Sequence, residues 1–286
     1  MGADPAGDHT ATPTAPARRS ELVLRILSAL VLAPLALAAA YFDGWLFAAF
    51  WAAAAVAVFC EWMALVAAPE HRLAAVAGSV ALCLAALAVM LGRADAALVC
   101  IGLGAVAAAA AAPAALRLWS AAGFVYAAAM LLAVLLLRAD AASGLGAVLF
   151  LFAVVWGTDV AAYFVGRTLG GPKLWPRLSP KKTWSGALGG AAAAMLAGIA
   201  TAALVGTGMV ALAVVAIVLS AAAQLGDLME SAMKRRFGVK DSGHLIPGHG
   251  GFMDRLDGFM AAVVVAAVIG LGRGGLGTPA QGLLAW

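Results

Sequence analysis

Long apolar runs constrain this chain more than any other feature of its sequence. A membrane-spanning helix needs about 20 predominantly apolar residues, and the sequence contains nine runs of this kind. Their approximate bounds are residues 22–41, 45–67, 73–91, 96–112, 120–137, 144–165, 183–205, 209–230 and 257–272. The sequence therefore predicts an all-α, polytopic integral membrane protein with about nine transmembrane helices.

Composition excludes two other classes of protein. Of the 286 residues, 65% are hydrophobic and 11% are charged, whereas soluble domains are roughly 45–50% apolar and roughly 25% charged. A soluble protein of this length cannot bury so many apolar side chains. The runs are also continuous and do not alternate with polar residues, which excludes a barrel of transmembrane β-strands.

The distribution of basic residues predicts the orientation, because Lys and Arg are enriched in cytoplasmic loops. With the N-terminus inside, the outside segments hold only Arg93, Arg138 and Arg273. We therefore expect a multi-pass protein of the cell (inner or plasma) membrane, with its N-terminus and two long basic loops in the cytoplasm and its C-terminus outside. The net charge of +4 reflects these loops and does not indicate a nucleic-acid partner.

Polar residues divide the chain into three parts. We expect residues 1–20 to form a disordered cytoplasmic tail. We expect residues 21–142 to form an N-terminal group of transmembrane helices with few polar side chains. Residues 143–286 predict a C-terminal transmembrane region with two cytoplasmic loops, in which the polar residues concentrate. We expect this third part to be the catalytic region.

Acids inside the predicted spans are costly to bury and are functional candidates for that reason. They are Glu61, Asp159, Asp227 and Glu230. Glu61 lies near the inner end of its span, so pairing with a nearby arginine is the simpler expectation for it. Asp159 has no local basic partner, which favours a functional role.

The stretch from residue 224 to residue 258 is the richest in polar groups. If the helix continues through it, one stripe carries Asp227, Glu230, Ser231 and Lys234. Asp254 and Asp257 return at helical spacing before the last span. Carboxylates from two helix ends, beside Lys and Arg, suit Mg²⁺, which binds one or two protein carboxylates together with phosphate oxygens.

Two loops predict anion binding. Glycines around His249 would let backbone N–H groups approach an anion closely. In the preceding loop, basic residues and the hydroxyls of Thr183 and Ser185 stand at a helix start, a natural anion site. These features together indicate a membrane-embedded site that faces the cytoplasm and handles phosphates with Mg²⁺. Phosphoryl or nucleotidyl transfer to a lipid phosphate is favoured over ion conduction.

Residues 231–257 resemble the signature of the phosphatidate cytidylyltransferase (CDP-diacylglycerol synthase) family, at positions 231–235, 240–243, 246–251 and 254–257. A second block resembles another part of that family's pattern, through Asp159, Tyr163, Gly166, Ser179, Pro180, Lys182 and Thr183. Val160 departs from the pattern, since the family often has a small hydroxyl residue there. The resemblance covers about the last 130 residues.

The resemblance implies the reaction of CTP with phosphatidate to give CDP-diacylglycerol and pyrophosphate. It implies metal binding by Asp227, Asp254 and Asp257, with Asp159 and Glu230 as supporting ligands. It implies a catalytic role for Lys234 and substrate contacts for Lys182, Ser185, Arg235, Lys240, His249, Gly250 and Gly251. It also implies a homodimer in the lipid membrane that uses Mg²⁺, with a monovalent cation such as K⁺ at the site.

Two other functions fit parts of the pattern. A CDP-alcohol phosphotransferase would carry a DGxxAR motif, but Phe259 to Ala262 follow Asp257 and Gly258. A polytopic secondary transporter of an anionic or cation-coupled substrate would have two related halves with charges near the midplane. Here the halves differ, and the charges cluster at the inner end of the predicted helices.

Overall fold

The structure is a computed structural model that describes residues 30–66, 72–239, 241–243 and 251–286. The helices of this part are α1 (Leu30–Phe42), α2 (Gly44–Val66), α3 (Arg72–Met90), α4 (Ala94–Ala110), α5 (Arg117–Arg138), α6 (Gly144–Leu169), α7 (Trp184–Val205), α8 (Met209–Arg236), α9 (Met253–Gly274) and α10 (Pro279–Leu284). A short 3-10 turn, Ala114–Leu116, precedes α5.

Helices α1 to α9 coincide with the nine predicted spans, which confirms the all-α polytopic class. In the described part of the chain, seven helices are long and apolar enough to cross a bilayer, while α4 and the described part of α1 are shorter apolar helices. Several bounds differ from the predicted ones. Helix α8 continues to Arg236, so its polar stripe is helical, and α9 begins at Met253, where Glu61 accepts from the N–H groups of Phe252 and Met253.

A β-hairpin lies between α6 and α7, where the sequence predicted only a loop. Strand β1 (Lys173–Trp175) pairs antiparallel with β2 (Ser179–Thr183), and this hairpin joins α6 to α7. Thr183 ends β2 and also begins α7, since its side-chain oxygen accepts a hydrogen bond from the N–H of Gly186 at 3.1 Å. An N-cap of this kind stabilises the first turn of a helix by about 1 kcal/mol.

Glycines let the C-terminal helices approach one another closely. A Cβ at Gly186 would lie 2.7 Å from the carbonyl oxygen of Ala162, which brings α7 against α6. A Cβ at Gly226 would lie 2.5 Å from the carbonyl oxygen of Asp257, which brings α8 against α9. These contacts hold the start of α7 against α6 and the start of α9 against α8.

The N-terminal helices support α9 from its other side. Trp51 of α2 stacks on Phe259 of α9 with ring centroids 4.9 Å apart. Phe59 of α2 meets Phe124 of α5 edge to face at 5.6 Å. All four rings are almost completely buried, with exposures of 3% or less, so α2 and α5 form a wall against which the start of α9 is fixed.

Candidate active site

A lysine from the β-hairpin reaches a carboxylate of α8. Lys182 lies near the end of β2, and its ammonium group forms an ion pair with Asp227. The neighbouring serine has a different role, because the hydroxyl of Ser185 donates to the carbonyl oxygen of Gly170. The hairpin therefore brings Lys182 to the acids of α8, while Ser185 ties the first turn of α7 to the end of α6.

A second lysine links α8 to α9. The Nζ atom of Lys234 lies 2.5 Å from Oδ1 of Asp254 and 3.3 Å from Oε1 of Glu230. The side chains of Glu230 and Asp254 are 1% and 6% exposed, so this network is shielded from water. The predicted helical stripe is confirmed, since Ser231 also donates to Asp227 at 3.4 Å.

The remaining acids lie around these two pairs. Asp257 interacts electrostatically with Asp227 and adjoins Glu230. Asp159, on α6, lies within electrostatic range of both Asp257 and Asp227. The acids predicted from three separate stretches of sequence therefore converge where the second halves of α6 and α8 meet the start of α9.

Among the described residues of this cluster, negative charge exceeds positive charge. Five carboxylates there face three cations, namely Lys182, Lys234 and an arginine near Asp159, Arg255. Both carboxylate oxygens of Glu230 are buried without a hydrogen-bond donor, although Lys234 is close. A buried carboxylate of this kind needs a compensating charge, so the donor set fits a hard cation.

The structure shows no preformed metal centre in its described residues. No three His, Cys, Asp or Glu side chains there converge closely enough to hold an ion. The reason is visible in the geometry, because Asp227 is turned towards Lys182 and Asp254 towards Lys234. The carboxylates are thus gathered, but Asp227 and Asp254 each bind a lysine, and Asp257 accepts from the N–H of Gly258.

The structure places only some of the other predicted residues. Lys240, His249 and Gly250 lie outside the described residues. Arg235 is exposed on α8. Gly251 is buried, and its N–H donates to Oδ2 of Asp254 at 2.9 Å, so the part of this turn that is described binds a carboxylate of the protein itself.

Glu61 differs from its expectation. Its carboxylate was expected to pair with an arginine, but it accepts hydrogen bonds from the N–H groups of Phe252 and Met253 at 2.7 Å. The acid was conspicuous in an apolar span, yet two of its partners are backbone N–H groups, which have no sequence signature, and the third is the hydroxyl of Ser242. The N-terminal helices thus contribute a polar group directly beside the site.

Comparison with known proteins agrees with this geometry. The cytidylyltransferase family matches residues 23–271. Proteins named phosphatidate cytidylyltransferase from Brucella suis biovar 1 and Brucella abortus biovar 1 are each 44% identical over 261 residues, which cover 88% of this chain and 94% of theirs. One from Staphylococcus epidermidis is 50% identical over 119 residues, covering 41% of this chain and 46% of its own. The chain therefore belongs to the cytidylyltransferase family.

Proposed function

We propose that this protein is a phosphatidate cytidylyltransferase, a nucleotidyltransferase of phospholipid biosynthesis. It converts CTP and phosphatidate to CDP-diacylglycerol and pyrophosphate. The observation that carries the proposal is the match to family members of that name along 88% of the chain. The lysine-bridged carboxylates at the inner ends of α8 and α9 support it, because they suit the handling of phosphates.

The chemistry needs charge neutralisation and positioning more than acid–base catalysis. A phosphate oxygen of phosphatidate attacks the α-phosphorus of CTP, and the bond from that phosphorus to the oxygen bridging to the β-phosphorus breaks. Pyrophosphate leaves with the electron pair. The attacking oxygen is already anionic, so no strong general base is required. Holding this oxygen in line with the bond that breaks accounts for most of the rate.

Lys182 and Lys234 are the residues suited to neutralise the phosphates. Each ammonium group already lies at the acid cluster, and each is partly shielded from water, with side-chain exposures of 27% and 14%. Electrostatic interactions strengthen where water is excluded. Arg235 and Lys240 extend the positive charge in the proposal, together with the turn of His249, Gly250 and Gly251.

The proposal includes Mg²⁺ as a cofactor. The residues that would hold it are Asp227, Asp254 and Asp257, with Asp159 and Glu230 nearby, and their excess negative charge supports this assignment. When bound, Mg²⁺ would neutralise the triphosphate of CTP. The family resemblance also suggests a monovalent cation such as K⁺ at the same site.

The proposed setting is the cell membrane, with the active-site loops and the N-terminus in the cytoplasm. The Lys and Arg distribution supports this orientation, because the basic hairpin and the end of α8 would then face CTP and anionic lipid headgroups. The lipid substrate would enter sideways from the bilayer. We also propose a homodimer, on the basis of the family resemblance.

The direct test is CTP-dependent formation of CDP-lipid by purified protein in detergent micelles. Micelles have no second compartment, so a transporter would give no product. We expect CDP-diacylglycerol from the wild-type protein and none without phosphatidate. The proposal would be contradicted if purified, folded protein formed no CDP-lipid with CTP, phosphatidate and Mg²⁺. The transporter would then be the remaining alternative, although the comparisons do not support it.

A further inference from the structure

A buried carboxylate from the N-terminal helices joins two segments beside the active site. Glu61 of α2 is 4% exposed. Its Oε1 atom accepts from the N–H of Phe252 at 2.7 Å, and its Oε2 atom accepts from the N–H of Met253 at 2.7 Å and from the hydroxyl of Ser242 at 3.2 Å. These donors lie 181 to 192 positions away along the chain.

The fit around this carboxylate is too close to accept larger neighbours. A Cβ at Gly243 would lie 2.7 Å from Oε1 of Glu61, and a Cβ at Gly251 would lie 2.7 Å from Oε2. A Cβ at Gly251 would also overlap the hydroxyl of Ser242. Glycine is therefore required on both segments for Glu61 to reach its donors.

The same two segments hold a catalytic acid. Oδ2 of Asp254 accepts from the N–H of Ser242 at 3.0 Å and from that of Gly251 at 2.9 Å, while its Oδ1 atom meets Lys234. Glu61 and Asp254 thus both accept hydrogen bonds from Ser242 and from the residues that lead into α9. A shift in either segment would move the Asp254–Lys234 pair.

We propose that Glu61 is a positioning residue for the active site. Its carboxylate holds Ser242 and Gly243 against the first turn of α9 and so sets the place of Asp254 and Lys234. The roles of Asp254 and Lys234 in turnover rest on the proposed function. The hydrogen bonds that Glu61 accepts from Ser242, Phe252 and Met253 do not depend on it. Acting through Asp254, Glu61 needs no contact with a substrate.

Glu61→Gln tests the proposal with a minimal change in size. An amide has one acceptor oxygen, and its NH₂ group would face an N–H donor that the carboxylate now satisfies. Asp140→Asn is the matched control. Asp140 is also 4% exposed, and it accepts from the N–H groups of Ala142, Ser143 and Gln281 at 2.9 to 3.1 Å, before the start of α6 and far from the site.

Two measurements separate positioning from general stabilisation. Amide hydrogen exchange in detergent should become faster at Phe252 and Met253 in Glu61→Gln, and at Gln281 in Asp140→Asn. At saturating substrates, kcat of Glu61→Gln should fall at least about tenfold, because displacements near 1 Å have effects of up to about 10²-fold. Its KM for CTP should change less than about threefold, and Asp140→Asn should keep kcat within about twofold.

Three results would overturn the proposal. They are unchanged exchange at Phe252 and Met253, faster exchange with kcat within about twofold of wild type, or an equal loss of kcat in Asp140→Asn. If Glu61→Gln yields no folded protein, Ser242→Ala removes one of the three donors and should lower kcat in the same direction by a smaller factor. A wild-type protein without CDP-lipid activity would contradict the proposed function alone, since the exchange measurement still tests the hold of Glu61.

Discussion

Adjacent lysines of the β-hairpin have different surroundings. Lys182 forms an ion pair with Asp227, whereas Lys181 is exposed. Both lie on β2, where successive side chains point to opposite faces. This alternation explains how one lysine can serve the site while its neighbour faces water or lipid headgroups.

Lys182→Ala should therefore cripple turnover, while Lys181→Ala should not. Loss of the Lys181 charge should change the activation free energy by less than about 1 kcal/mol, the scale of one exposed basic residue near an anionic surface. Steady-state kcat/KM for CTP and phosphatidate in mixed micelles gives the comparison. Equal losses in the two variants would mean that the hairpin acts only as a diffuse positive patch.

Asp257→Asn tests the metal assignment, because it removes a charge and nearly preserves size. Activity should fall at least about 10²-fold, the scale on which one electrostatic catalytic contact is felt. Asp95→Asn is the control, since Asp95 is an exposed acid at the start of α4 that pairs with Arg93 at 3.1 Å. A Mg²⁺ titration of activity checks the result, and Asp257→Asn activity within about threefold of wild type at limiting Mg²⁺ would remove this residue from the metal site.

At the residue scale, the sequence pointed to the acids that the structure brings together, but not to the backbone groups that Glu61 binds. Asp159, Asp227 and Glu230 could be identified because charges are rare in apolar spans. The partners of Glu61 could not be identified, because any residue carries an N–H group and those of Phe252 and Met253 are brought close only by the folded chain.

The spacing of α8 and α9 determines whether the acids of the two helices meet. Gly226 lies next to Asp227 in α8, and it faces the carbonyl oxygen of Asp257 in α9. A methyl group there would lie 2.5 Å from that oxygen and 2.8 Å from Cβ of Ala261. The absence of a side chain at this position is therefore part of the site's construction.

Gly226→Ala should lower both activity and the melting temperature in detergent, because α8 must move away from α9. The matched control is Gly102→Ala in α4, where a Cβ would meet nothing within 4 Å. That control should be neutral or stabilising by up to about 1 kcal/mol, the helix propensity gained on replacing glycine with alanine. A Gly226→Ala protein with wild-type melting temperature and activity would show that the helices tolerate the wider spacing.

The two short strands were less predictable than the helices. The helices followed from continuous apolar runs, but β1 and β2 are only three and five residues long. Pro180 lies within β2, and proline disfavours a central strand while tolerating an edge position. A two-stranded hairpin consists of two edge strands, so Pro180 is tolerated there. Strands this short leave no alternating pattern in the sequence from which they could be predicted.

At the scale of the whole molecule, the site joins the two halves that the sequence kept separate. The C-terminal part supplies Lys182 and the acids of α6, α8 and α9, and the N-terminal part supplies Glu61 of α2. The fold class and the number of apolar helices were predictable from hydropathy alone. The contact between halves was not, because it depends on how α2 packs against α9.

The orientation prediction also concerns the whole chain. With the N-terminus in the cytoplasm and α1 to α9 each crossing once, the C-terminus lies outside. Helix α10 has six residues, whereas a span needs about 20. A reporter joined after Trp286 should be active only when it is of the type that works outside the cytoplasm. Activity of a cytoplasm-specific reporter there would make the odd number of spans wrong.

The most direct test of the central claim follows the phosphorus atoms of CTP. Purified wild-type protein is incubated with phosphatidate, Mg²⁺ and CTP that is labelled at either the α- or the γ-phosphorus. Nucleotidyl transfer predicts that the α-label enters the lipid product and that an equal amount of γ-label appears as water-soluble pyrophosphate, with both signals lost in Asp257→Asn. Transfer of the γ-label to lipid, or release of pyrophosphate without labelled lipid, would contradict the account.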